Sequence, residues 1–283
     1  MTGTSVAAFP RRYGPWALIT GASHGLGAEF ARQLAALGLN VVLVARSADE
    51  LQARADELER TASVRTRAVP LDLSQDDAVE RLIAATADLE VGLLVNNAGI
   101  SIVGPFLSLD PDFLDRQISV NNRASLLLAR HYGEQMVRRG RGGIINLSSG
   151  SALHGTPWSA SYCGTKAFNL MVAEALWYEL RPRGVDVLGW QAGATRTPGF
   201  LGNNPGHSGL VPVRDARPAV TEALRALGRR PSVADGRLNR LGYAVMGMLP
   251  RSLAVRLLGR SMSDMFGPFP VWPTPDQTSI THD

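Results

Sequence analysis

Between Trp16 and Gln191, short and nearly continuous apolar runs alternate with amphipathic stretches, and this alternation constrains the fold of the 283-residue chain more than any other feature. A strand covered on both faces can be apolar at every position, whereas a strand with one wet face must alternate. Runs of the first kind, separated by helix-length stretches, predict a parallel sheet whose crossovers are helices. The spacing predicts strands over Ala17–Thr20, Asn40–Ala45, Val64–Pro70, Gly92–Asn96, Gly143–Ser148 and Val185–Trp190. Between them it predicts helices over Gly25–Leu37, Ala48–Arg60, Gln75–Ala87, Pro111–Arg139 and Ser159–Leu180. Gly38, Gly140 and Pro182 stand where such helices should stop. The expected fold class is α/β, a doubly wound parallel sheet with helices on both faces.

Beyond Pro198 the strand signal fades. Residues 199–212 read as a Gly/Asn/Pro-rich loop, helices are predicted around 217–228, 236–248 and 250–260, and four prolines between 268 and 275 mark a tail. The chain 1–283 is read as one domain, with a core over 14–198, a lid and C-terminal helices over 199–263, and a poorly ordered tail over 264–283. Hydrophobic residues at 45% and charged residues at 19% exclude a disordered or fibrous chain. Cys163 is the one cysteine, so neither a disulfide within the chain nor a cysteine-held metal is expected, and a reducing, cytoplasmic setting follows. Met1 to Pro10 lack the basic start and apolar run of a signal peptide, and no 18 consecutive residues are apolar, so no membrane span is expected. The net charge of +4 is unevenly placed. Residues 214–260 hold ten Arg against Asp215, Glu222 and Asp235, a balance of +7, leaving −3 for the rest. Without a recognition motif this segment does not point to nucleic acid.

The first predicted strand runs into Thr20-Gly21-Ala22-Ser23-His24-Gly25-Leu26-Gly27 and then a helix. Glycines at a helix mouth let backbone N–H groups approach a pyrophosphate that a Cβ would obstruct. Gly21, Ser23, His24, Gly25, Leu26 and Gly27 therefore read as a dinucleotide-binding turn, although G-x-x-x-G-x-G differs from the usual G-x-G-x-x-G. Sites for NAD place an acid at the end of the second strand, on the ribose 2′-hydroxyl. Here that strand ends in Arg46-Ser47, donors suited to a 2′-phosphate, so NADP(H) is expected over NAD(H), and His24 can add a donor. Asp72, followed by Leu73, ends the third strand and either accepts from an adenine amino group or caps the next helix.

Tyr162-Cys163-Gly164-Thr165-Lys166 is the expected chemical centre. Four residues apart, phenol and ammonium share one helical face. With five Tyr and one Lys in the chain, such a pair arises by chance roughly 0.02 times. Every other basic residue is Arg, which suggests that position 166 needs a compact ammonium. A nearby cation favours the ionised phenol, so Lys166 is read as tuning Tyr162.

In these motifs and their order the chain resembles the classical short-chain dehydrogenases/reductases over residues 14–200. The resemblance rests on the glycine turn, Asp72, Asn96-Asn97-Ala98-Gly99, Val120-Asn121, Asn146-Leu147-Ser148-Ser149 and Tyr162 to Lys166. It implies a single-domain Rossmann-type fold and an NAD(P)-dependent oxidoreductase that interconverts a carbonyl and an alcohol. It also implies a catalytic tetrad of Asn121, Ser149, Tyr162 and Lys166, with Ser149 preferred to Ser148 because it lies thirteen residues before the tyrosine. In that tetrad Tyr162 exchanges the proton, Ser149 orients the substrate oxygen, Lys166 holds the nicotinamide ribose and Asn121 anchors a water. Asn97, Ala98, Gly99, Gly193, Thr195 and Thr197 complete the implied cofactor set, with Ala192 where the family has proline. The alternatives are the same chemistry with NAD(H), or a non-catalytic NADP-binding regulatory protein.

Ile100, Ser101, Leu153, His154, Trp158, Phe200 and Leu201 are expected to wall the substrate pocket beside Ser149. Their mostly apolar character favours a hydrophobic ketone, aldehyde or alcohol (3-oxoacyl, steroid-like or aromatic) over a sugar. His154 either touches substrate or is a satisfied loop histidine. Tyr13-Gly14-Pro15-Trp16 and Leu249-Pro250 carry a second resemblance, to the branch of long-chain 3-oxoacyl-CoA reductases and some hydroxysteroid dehydrogenases. Residues 236–260 pair Leu, Met and Val with five Arg and read as a lid, a peripheral membrane-surface helix pair, a dimer contact or a solvated face. The family resemblance implies a homodimer or homotetramer through helices over 111–139 and 159–180.

Overall fold

The computed structural model describes residues 3–197 and 213–266. Each apolar run becomes a strand because the sheet covers it: β1 (Trp16–Thr20) and β4 (Val91–Asn96) are buried throughout, and β2 (Asn40–Ala45) at its four central positions. With β3 (Thr66–Pro70), β5 (Gly142–Ser149), β6 (Val185–Ala192) and β7 (Ser232–Ala234) they form one parallel sheet ordered β3-β2-β1-β4-β5-β6-β7.

Helices pack on both faces. On one face Phe30 and Leu34 of α2 (Gly25–Ala36), Leu51 and Leu58 of α3 (Ala48–Ala62) and Val220 and Leu224 of α8 (Ala216–Ala226) meet Leu43, Leu188 and Trp190. The Phe30 and Trp190 rings stand edge to face, 5.5 Å apart. On the other face Leu82 of α4 (Ala78–Ala85) and Leu128, Tyr132 and Met136 of α6 (Ala124–Arg139) pack on Leu18, Val42, Leu94 and Ile144, with Ala173 of α7 (Ala160–Leu180) beside them. Each fully buried leucine contributes roughly 1.5–3 kcal/mol. The chain winds from β1 outward to β2 and β3, and β4 then returns to the far side of β1. At that reversal the loops leaving β1 and β4 part, and open α/β sheets place their ligands in this crevice.

Some elements differ from the sequence expectation. The helix expected over 111–139 divides into α5 (Pro111–Ile118), a π-helical turn (Ser119–Arg123) and α6. The apolar spacing runs on through the turn, but the turn buries Asn121 and Asn122, whose hydrogen bonds hold its wider winding. β7 pairs with β6 through only three residues, too few to show a period. At the N-terminus, α1 (Gly3–Tyr13) packs on the starts of β4 and β5, where Tyr13 lies against Gly92 and Gly143. Its Tyr13 hydroxyl and Arg12 Nε donate to the buried Asp186 Oδ2 at 2.7 and 2.6 Å. After α9 (Arg237–Met248), α10 (Arg251–Phe266) runs past the predicted end at 260. Among the described residues no helix is long and apolar enough to cross a membrane, and no three His, Cys, Asp or Glu cluster to hold a metal. Phe200, Leu201 and the rest of 198–212, and the tail from 267, lie outside the described residues.

Candidate active site

The site is built from the loops at the C-terminal ends of the strands. Leaving β1, Gly21 and Gly25 take φ of +67° and +57°, left-handed values that an L side chain would strain. A Cβ on Gly27 would collide with the Gly21 carbonyl. Asn97 braces this loop, its Nδ2 donating to the carbonyls of Thr20 (2.8 Å) and Gly21 (3.1 Å). Thr20 Oγ1 accepts from the N–H groups of Asn97 and Ala98, both at 3.0 Å. No side chain caps α2, and the N–H groups of Gly25, Leu26 and Gly27 have no acceptor among the described residues. An uncapped helix N-terminus that a backbone-bound anion can approach is a cradle for pyrophosphate, so these residues fit a dinucleotide.

Ser23 Oγ and His24 Nδ1 lie 3.1 Å apart, and His24 Nε2 lies 3.3 Å from Glu50 Oε1. Arg46 is exposed at the end of β2, and Ser47 Oγ accepts from the Glu50 N–H (3.4 Å) as N-cap of α3, which leaves its hydroxyl proton free to donate. Asp72 Oδ1 accepts from the Ser74 N–H (2.9 Å) and hydroxyl (2.8 Å), a turn-capping role. Burial acts to raise its carboxyl pKa, but the Ser74 hydrogen bonds and the charges of Arg46 and Arg116 hold it below the usual range. Leu73 is buried in the core, so its side chain is not offered to a ligand. Past β6, Thr195 Oγ1 donates to the Gly193 carbonyl (3.0 Å), and Thr197 packs so close to Gly25 that a Cβ there would press on its methyl.

Tyr162 and Lys166 stand one turn apart on α7, with Nζ 5.6 Å from the phenol ring centroid. Ser149 lies beside the phenol, and its Oγ accepts from the Ser151 N–H (3.3 Å). Burial pushes Tyr162 up to about 12, and the neighbouring Ser149 hydroxyl works against that rise. Burial likewise pushes Lys166 down to about 8. The sequence argument has lysine lowering the tyrosine pKa; here Nζ donates to the Leu147 carbonyl (3.2 Å), and the neighbouring Ser149 hydroxyl is the group that works against the rise. Ser148 faces the other way and donates to the Lys166 carbonyl (2.7 Å), as neighbours on a strand must.

Behind this group, Asn121 is fully buried. Its Oδ1 accepts from the Ile100 N–H (2.8 Å), and Nδ2 donates to the Ile100 carbonyl and Thr165 Oγ1, both at 3.0 Å. Its side chain thus ties the loop after β4 to α7, where the family resemblance implies a water anchor. Gly99 lies against Lys166 and Asn121, since a Cβ on it would come within 3.3 Å of Nζ. On the substrate side Ile100, Ser101 and Leu153 are half-buried and His154 is buried in its loop. Trp158 has φ +61°, and its carbonyl accepts from the Gly104 N–H (2.8 Å).

Sequence reasoning missed the residues that support this group. Asn122 Nδ2 donates to the Thr165 carbonyl (2.8 Å) and Asn169 Oδ1 (3.1 Å), and Asn169 Nδ2 donates to the Asn121 carbonyl (2.9 Å). Their signal is polar residues recurring at helical spacing on two predicted apolar helices. Asp235 and Asn239, also missed, abut Gly193, and Arg214 pairs with Asp235 and with Glu222 (2.9 Å).

Sheet order, crevice and cradle are those of the Rossmann-type dinucleotide-binding class. Within that class the chain belongs to the short-chain dehydrogenases, whose family model matches residues 15–206. It is therefore an NAD(P)-linked oxidoreductase acting on CH–OH groups. Over 258 residues it is 31% identical to the 7β-hydroxysteroid dehydrogenase of Clostridium sardiniense, covering 91% of this chain and 99% of that protein. It is 43% identical over 192 residues to the very-long-chain 3-oxoacyl-CoA reductase of Meyerozyma guilliermondii, covering 64% of this chain and 56% of that reductase. Among solved structures, a 7β-hydroxysteroid dehydrogenase superposes with a TM-score of 0.83 at 31% identity, covering 88% of this chain and 98% of the other. A short-chain dehydrogenase from Sphingobium yanoikuyae in complex with NADPH superposes with a TM-score of 0.72 at 31% identity, covering 83% and 94%.

Proposed function

We propose that this protein is an NADP(H)-dependent dehydrogenase/reductase that interconverts a ketone and an alcohol on a bulky hydrophobic substrate, a steroid-like ring ketone or a 3-oxoacyl thioester. The observation that carries the reading is the placing of Ser149 beside the Tyr162 phenol, with the buried Lys166 ammonium one turn behind. The substrate class is supported by the hydroxysteroid and 3-oxoacyl relatives.

Gly21, Gly25, Leu26 and Gly27 would hold the pyrophosphate, Asp72 the adenine end and Gly193, Thr195 and Thr197 the nicotinamide end. Arg46 and Ser47 would take a 2′-phosphate, which favours NADP(H). When bound, the nicotinamide supplies hydride in reduction and accepts it in oxidation. Tyr162, protonated at neutral pH because burial raises its pKa, gives its phenolic proton to the substrate oxygen as the alcohol forms, and its phenolate takes that proton in the reverse direction. Ser149 donates to the same oxygen and orients it. Lys166, buried beside the phenol, would hold the nicotinamide ribose. Asn121 acts through Ile100 and Thr165, fixing the floor of the site.

The reading extends to one domain over 1–283 in a cytoplasmic setting, and to a homodimer or homotetramer. Pairing through α5 to α7 is supported by exposed Ile118, Leu126, Phe168, Met171 and Tyr178. Peripheral contact with an anionic membrane is supported by exposed Leu238, Leu241, Val245 and Met248 on α9 beside five arginines over 237–260.

The test is NADPH consumption with ring ketones and 3-oxoacyl thioesters, with NADH in parallel. Turnover that falls at least a hundredfold in Tyr162→Phe, with NADPH binding retained, is expected. Tight cofactor binding with no turnover of any ketone or matching alcohol would instead favour a regulatory NADP-binding protein.

A further inference from the structure

The C-terminal helices rest on the loop that joins Ser149 to Tyr162, and they do so near both of its ends. Asn239, Tyr243 and Met246 recur at helical spacing on the inward side of α9, while Leu238, Leu241, Gly242, Ala244, Val245, Gly247 and Met248 are exposed. Gly150, immediately after Ser149, leaves room for the Tyr243 hydroxyl, with which a Cβ there would collide. Further along the loop, Gly259 of α10 lies against Pro157, and Ala254 of α10 is fully buried. Helices α9 and α10 therefore form an outer wall over the segment that carries the serine and leads to the tyrosine.

Tyr243 is half-buried, and its hydroxyl has no hydrogen-bond partner among the described residues. Burial and the nearby Asp235 carboxylate raise its pKa above the ordinary phenol value, so it stays a proton donor through the physiological range. A lone donor beside the serine discriminates between substrates, because one that covers it without a matching oxygen leaves the donor unpaired.

We infer that Tyr243 is a specificity-determining residue whose hydroxyl donates to a second oxygen of the substrate, set apart from the reacting carbonyl. A distal hydroxyl on a steroid-like ketone, or the thioester carbonyl of a 3-oxoacyl chain, has this chemistry. The inference rests on the reductase reading for its substrate, and on the contact with Gly150 for its geometry.

Tyr243→Phe keeps the ring and removes the oxygen. The measurement is kcat/KM for two substrate pairs: a ring-ketone steroid with and without a distal hydroxyl, and a 3-oxoacyl thioester against a simple ketone of the same length. In at least one pair the wild type is expected to prefer the substrate with the second oxygen. Tyr243→Phe is expected to cut that preference about tenfold, mainly through KM. Gly150→Ala, which must displace the phenol, should cut it likewise. A phenol that only packs would lower Tm and scale both members of a pair equally, so an unchanged preference in both pairs overturns the inference. If the wild type reduces none of these ketones, the reductase reading fails separately, and quenching of tryptophan fluorescence by the hydroxylated steroid decides the role of Tyr243. Weaker binding in Tyr243→Phe supports it, and equal or absent binding overturns it.

Discussion

Ser148 and Ser149 are adjacent, yet one donates to the Lys166 carbonyl inside the protein and the other meets the Tyr162 phenol. Strand alternation makes that choice, and it gives Ser149 control over the tyrosine. In Ser149→Ala burial acts on the phenol unopposed, so its pKa rises further and less phenolate exists at any given pH. The alkaline rise of kcat/KM for alcohol oxidation should then move to higher pH, with kcat lowered about a hundredfold; a pH profile of wild type and variant checks this. At the end of β2, Arg46→Ala should raise the KM for NADPH about tenfold and narrow the NADPH over NADH ratio, read from initial rates with both cofactors. The residue types needed for this chemistry were legible: the single lysine sits four residues after a tyrosine, and an arginine stands where NAD sites hold an acid. Where Nζ points was not legible, because the Leu147 carbonyl that holds it belongs to a strand distant in sequence.

At the scale of elements, helices covered by the sheet were legible from their spacing, and those at its margins less so. α9 carries apolar residues on two stripes, and only packing decides that Asn239, Tyr243 and Met246 face inward while Leu238, Leu241, Val245 and Met248 face out. An outward apolar stripe flanked by arginines should bind an anionic interface and be weakened by salt. The protein is expected to cosediment with anionic vesicles at low salt, less so at high salt, and less again in Leu241→Glu; equal sedimentation with neutral vesicles would sink this reading. β7 and α1 escaped notice for different reasons. β7 is three residues long, and α1 contains Pro10 and is held by side chains that meet Asp186 across the fold.

For the whole molecule, the exposed apolar side chains on α5 to α7 lie on helices packed against the same face of the sheet as the Asn121 turn. If that surface pairs subunits, Met171→Glu should shift the protein towards monomer in analytical ultracentrifugation. Turnover should fall with it, because α7 carries Tyr162 and Lys166.

The alternation of covered strands and amphipathic helices, read along the chain, was enough to determine a parallel α/β sheet, and the glycine turn with the Tyr-Lys spacing was enough to determine the chemistry to look for. Both are local properties: burial period and backbone freedom are written within ten or twenty residues. The tertiary structure alone decided that Ser148 turns to the Lys166 carbonyl, that Asn121 sits in a π-turn bonded to Ile100, and that Tyr243 reaches Gly150. Those contacts join residues far apart in sequence, and their partners are chosen by how the sheet and helices pack.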